Sequence, residues 1–288
     1  MKEFLLKLGN IDRRIIYGII AAGVIVPLLK PIGLPENITP PVKHLYDYID
    51  SLPRGSVIVL SIDYDATVLP EVHPMVLAVL RHAMVKGIKP IGLGLNPAGT
   101  GLGLDAFLKV GKELGKKYGE DYVYLGFKPN VSATILGLGE NIRKVFPTDY
   151  FGTPIDSIPM LRNVRNYNDI ALTISFSGSS LPESWIMYAN ARYGEKIACG
   201  VTAVMAADFY PYLQTGQLIG MIAGLKGAAE YETLVNRLFK KFGLRRPSVI
   251  AIRGMDANSL AHVLIMIFII LGNIAYFASK RGRKNNVA

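Results

Sequence analysis

Short β-branched runs alternate with stretches of helical periodicity through the middle of this chain. Ser56–Ile62 is apolar at every position but Ser56 and Ser61, as a strand buried on both faces should be. Glu71–Lys86 follows with Val72, Val76, Leu77, Leu80 and Met84 at helical spacing. Ile88–Leu95 predicts a second strand, Leu104–Tyr118 a second helix through Phe107, Leu108 and Leu114, and Tyr122–Phe127 a third strand. The βαβαβ order predicts an α/β fold: a Rossmann-like, doubly wound, mainly parallel sheet. Beyond it, Asn141–Phe146 and Ile155–Arg165 read as helical, Asp169–Phe176 as a strand, Leu181–Tyr193 as a helix and Lys196–Val201 as a strand. Helical stretches are expected up to Lys241, and Ser248–Ile252 is expected as a last strand.

Two longer apolar stretches flank this region, Ile15–Leu29 and Leu260–Phe277. Eleven of the 18 residues in the second are Leu, Ile, Val or Phe. At about −0.3 to −0.6 kcal/mol each, these outweigh the polar His262 and Asn273. The first is shorter and contains Gly18, Gly23 and Pro27. Lys30–Pro35 offers no small-residue cleavage site after it, which favours an uncleaved signal anchor. The expected organisation is a tail at 1–14, an anchor at 15–30, a Pro-rich linker at 31–55 and an α/β domain at 56–257. A transmembrane helix at 258–279 and a basic tail at 280–288 complete it.

Charge fits this layout. The net charge is +10, and the two tails hold eight basic and two acidic residues, leaving about +4 for the centre. With no dense basic run evident there, the charge points to a bilayer partner and away from nucleic acid. The positive-inside preference then places both termini in the cytoplasm and the domain outside it. Cys199 is the only cysteine, so neither an internal disulfide nor a cysteine metal cluster is available within one chain.

Asp63-Tyr64-Asp65-Ala66-Thr67-Val68, after an apolar strand, resembles the first motif of the haloacid-dehalogenase-like phosphotransferases. That resemblance implies Asp63 as nucleophile and Asp65 as general acid/base, both beside Mg²⁺. The chain departs from the family where Gly94-Leu95-Asn96 replaces a Ser or Thr ending the second strand. Asp208 and Asp256 are poor substitutes for the late acidic pair. The plainer alternative is that Asp63 and Asp65 shape the strand-to-helix turn. No cofactor is expected outside the phosphotransferase reading.

Other candidates are loops. Gly94, Asn96, Gly99 and Gly101 lie in a Gly-rich stretch that can bring backbone N–H groups to a ligand, or serve only as permissive turns. Ser177 and Ser179 follow the fourth strand as ligand groups or helix caps. Gly216, Gly220 and Gly224 recur every four residues. On a helix they would form a flat stripe for internal packing or self-association, and Asn273 would add an interhelical hydrogen bond in a homo-oligomer.

Three blocks together resemble a family of uncharacterised membrane-anchored prokaryotic proteins: Asp63-Tyr64-Asp65, Phe146-Pro147-Thr148-Asp149-Tyr150 with Gly152-Thr153-Pro154, and Thr215–Leu218 with Gly224–Tyr231. The resemblance implies a recurring architecture and carries no activity. The leading functional expectation is a membrane-anchored binding or scaffold protein. The alternative is a Mg²⁺-dependent phosphatase or phosphotransferase using Asp63 and Asp65.

Overall fold

The structure is a computed structural model that describes residues 12–34 and 37–284, with side chains of the last helix described as far as Phe277. Much of the basic N-terminal tail and the end of the C-terminal tail therefore lie outside the described residues. Two compact units are present: the terminal segments, up to Pro35 and from Ile252 onward, and Glu36–Ala251.

Glu36–Ala251 is an α/β unit. In chain order it contains α2 (Pro40–Ser51), β1 (Val57–Asp63), α3 (Leu69–Lys86), β2 (Lys89–Gly94), α4 (Thr100–Glu113) and β3 (Val123–Phe127). There follow α5 (Val131–Glu140), α6 (Ile142–Val145), β4 (Leu172–Ser177), α7 (Leu181–Trp185), α8 (Ala191–Tyr193), β5 (Ile197–Val201), α9 (Ala206–Gln214), β6 (Leu218–Ala223) and α10 (Gly224–Lys241). A π-turn, Ile186–Asn190, joins α7 to α8.

The six strands form one parallel sheet in the order β3-β2-β1-β4-β5-β6. β1 is apolar nearly throughout because it is central and covered on both faces. One face packs on α2, α3, α4 and α10. There Gly92 leaves room for Phe107, and Gly200 for Phe176 and Met75. The opposite face carries Val59, Leu93, Val123 and Cys199 into a core shared with Ile135, Trp185 and Phe209. Each large side chain fully buried in this way contributes about 1.5–3 kcal/mol of transfer free energy.

Several elements differ from expectation. The region 31–55 is not all linker: Pro40 starts α2, whose Val42, Leu45 and Ile49 are buried. Ile155–Arg165 forms two short 3₁₀ turns instead of a helix, since Pro159 interrupts it. Val131–Glu140 is an additional helix. Leu218–Ala223 is a strand, so Gly216, Gly220 and Gly224 share no helical face. Gly216 and Gly224 have φ of 75° and 60°, and Gly220 lies mid-strand, where a Cβ would stand 2.7 Å from Pro41 O and Leu45 Cβ. Its missing side chain admits α2 onto the sheet. Ser248–Ile252 is no strand either, because Ile250 begins the long helix α11 (Ile250–Lys284).

The terminal unit pairs α1 (Arg13–Leu29) with α11. Gly23 is buried against α11, and a Cβ there would stand 2.5 Å from Leu264 Cδ1. Among the described residues only Ile250–Phe277 is long and apolar enough to cross a membrane. α1 has 17 residues, a length of about 25 Å at 1.5 Å per residue, so of the expected pair only the C-terminal span is met by length and composition among the described residues.

Candidate functional site

Because the strands are parallel, all six carboxyl ends share one edge. The order reverses between β1 and β4, the position at which doubly wound sheets open a crevice for ligands. β1 ends there on Asp63 and β4 on Ser177, paired in register.

Asp63 is turned inward and is 2% exposed. Ser61, two residues earlier and therefore on the same face of the strand, donates its hydroxyl to Oδ2 at 2.5 Å. The Leu95 N–H donates to Oδ1 at 2.6 Å. Burial pushes the carboxyl up to about 6, against the opposing effect of these donors and the Asn96 N–H. Ser175 lies beside the carboxyl and favours its charge, yet its own buried hydroxyl closes no hydrogen bond. Asp63 thus ties the end of β1 to the loop after β2.

Asp65 points elsewhere, accepting the Thr67 N–H at 2.8 Å and the Thr67 hydroxyl at 2.5 Å. These bonds hold its carboxyl below the usual range. It also occupies backbone donors ahead of α3 that an anionic ligand would need. Tyr64, between the two aspartates, is buried on the other face with its hydroxyl 2.7 Å from His73 Nδ1. The structure therefore brings Asp63 and Asp65 to the same loop but engages their carboxyls separately.

The Gly-rich loop closes on β1. A Cβ at Gly99 would stand 2.2 Å from Ile62 O and one at Gly94 3.1 Å from it, while Gly101 has open space. Asn96 accepts the Ala98 N–H at 3.0 Å and caps the turn. Ser177 donates to Asp63 O at 3.3 Å and pairs with the Ser179 hydroxyl at 2.9 Å. At this end of the sheet hydroxyl, amide and carboxylate groups gather, most of them engaged with one another. No cluster of three or more His, Cys, Asp or Glu able to hold a metal occurs among the described residues.

A second recess, of about 130 Å³, lies among α2, α9, β6 and α10, lined by Thr39, Tyr210, Met221, Lys226 and Glu230. Glu230 is buried and fully engaged: it accepts the Thr39 N–H at 2.8 Å, the Thr39 hydroxyl at 2.7 Å and Lys226 Nζ at 2.6 Å.

Sequence reasoning missed three features. Ser61 was readable as the polar residue two before Asp63 in an apolar strand. Asp256, a weak candidate for an acidic pair, instead accepts the N–H groups of Ile32, Gly33 and Leu34 at 2.8, 2.8 and 3.0 Å. The central region also holds a basic run after all: Arg237, Lys240, Lys241, Arg245 and Arg246, all exposed, with no acid between Glu232 and Asp256. Summing charge over the whole domain had diluted it.

Comparison with family models, curated proteins and solved structures finds no match for this chain. The functional reading rests on its own residues.

Proposed function

We propose that this chain is a membrane-tethered binding or scaffold protein whose α/β domain presents the β1/β4 crevice to a polar ligand. The observation that carries the reading is the helix Ile250–Phe277, 28 residues long, whose apolar 18-residue window has a mean hydropathy of 2.3 and is only 6% buried. A helix that apolar and that little covered has lipid as its natural environment. In this reading α1 enters the same bilayer beside α11, supported by the Gly23 contact. Both termini are cytoplasmic, supported by eight basic residues in the tails, although Lys30 and the five of the 237–246 run narrow that margin on the domain side. Asn273, exposed within the apolar helix, supports self-association by a hydrogen bond between copies. Protease treatment of intact spheroplasts tests the topology: the domain should be cleaved before lysis, and survival until lysis would reverse it.

The second reading is a phosphotransferase. It is favoured by Asp63 at the carboxyl end of β1, beside the switch point, with its carboxyl pushed up to about 6. Mg²⁺ fits the residues poorly, since Asp63 is buried and accepts from Ser61 and Leu95 while Asp65 turns to Thr67. Mg²⁺-dependent hydrolysis of a generic phosphate ester, abolished by Asp63→Asn in a folded protein, would install this reading in place of the first.

A further inference from the structure

The basic run occupies a defined surface. Arg237, Lys240 and Lys241 stand at helical i, i+3 and i+4 positions on the last turns of α10, while Leu238 and Phe239 face the core. The helix then stops on Gly243, at φ 66°, with the Gly243 N–H bonded to Lys240 O and the Leu244 N–H to Phe239 O. Such a cap fixes the turn. It presents Phe242 and Leu244, 51% and 40% exposed, between the basic pairs Lys240–Lys241 and Arg245–Arg246. Pro247 follows, and α11 begins at Ile250, four residues after Arg246, with its apolar window further along.

We infer that this surface docks on anionic lipid headgroups of the membrane that α11 enters. The inference rests on the proposed tether and adds a second contact to it. Three observations select the occupant. The charge is of one sign with no carboxylate interspersed, complementary to an anionic headgroup layer. Two apolar side chains protrude from the middle of the charge, the kind of group that enters the boundary between headgroups and acyl chains. The segment is also continuous in sequence with α11, the helix that enters the bilayer in that reading. Basic side chains then attract the layer, and Phe242 and Leu244 enter it. The domain is thereby held against the membrane instead of swinging on its tether.

The test uses the full chain reconstituted into vesicles of phosphatidylcholine alone or with added phosphatidylglycerol. An environment-sensitive fluorophore on Phe242→Cys reports the local polarity; the native Cys199 is buried and does not compete. The emission should shift to the blue only in anionic vesicles and return in high salt. Replacing all five basic residues by Gln should abolish the shift while flotation with the vesicles persists. If the chain floats with both vesicle types and the emission is the same in each, the docking surface is wrong and the tether stands. If it floats with neither, the tether fails and the inference with it. An equal shift with a soluble polyanion and no vesicles would assign the surface to another partner and overturn the lipid reading.

Discussion

The Asp256 carboxylate accepts the backbone N–H of Gly33 at 2.8 Å, across 223 residues of chain. With the Ile32 and Leu34 N–H groups it closes a three-donor clasp between the segment leaving α1 and the start of α11. A buried carboxylate satisfied in this way holds the two terminal segments together with little help from side-chain packing on its partner loop. Asp256→Ala strands three amide donors and should destabilise this unit by about 1–3 kcal/mol. Hydrogen exchange of the amides of residues 32–34 checks it: they should lose protection while the β1 amides keep theirs.

The Gly-rich loop is shaped by its contact with β1, and two adjacent substitutions separate that role from ligand binding. Gly99→Ala drives a Cβ to 2.2 Å from the Ile62 carbonyl, which is backbone and cannot swing away. The cost should be about 1–3 kcal/mol. Gly101→Ala meets nothing within 4 Å and lies in the first turn of α4, where it should be neutral or add up to about 1 kcal/mol. Urea unfolding of the two variants reads the difference directly.

Burial raises the Glu195 carboxyl to about 8, against the hydrogen bond from Thr173 Oγ1 at 2.8 Å. The folded state therefore holds a proton that the unfolded chain releases near its ordinary value of 4.5. Between those two values the native state binds more protons, so stability must fall as pH rises through the window. The urea midpoint should decline from about pH 5 to pH 8. Glu195→Gln, neutral at every pH, should flatten that decline. An unchanged slope in the variant would place the titration elsewhere.

Gly220 offers a check on β6. Its absent side chain leaves room for the Pro41 carbonyl and Leu45 of α2. Gly220→Leu should consequently lower the unfolding free energy by about 1–3 kcal/mol or more, in whatever assembly the protein forms. Dissociation of an oligomer with unchanged domain stability would instead return this glycine to an interface between copies.

These positions also show what the sequence made legible. β1 through β5 were readable because each is a compact, largely apolar run bounded by turns, and parallel central strands demand that pattern. β6 was not: Gly216, Gly220 and Gly224 imitate the small-residue spacing of a packed helix, and only the neighbouring α2 explains the gap that Gly220 leaves. Ser248–Ile252 resembles a strand because its apolar residues suit a buried strand as well as the first turn of α11. At the site, Asp63 was visible as a carboxylate ending a strand. Its direction was not, since Ser61 and the Leu95 N–H that hold it come from an alternation and a loop closure. The basic run at 237–246 was visible by position and hidden by summation.

Membrane tethering by α11 is the central claim, and alkaline carbonate extraction of membranes from cells expressing the full chain tests it most directly. The protein should remain in the membrane pellet and should require detergent for release, because only 6% of the apolar window of Ile250–Phe277 is buried within the protein. Release into the carbonate supernatant, followed by recovery at neutral pH as a folded, detergent-free monomer, would contradict the account.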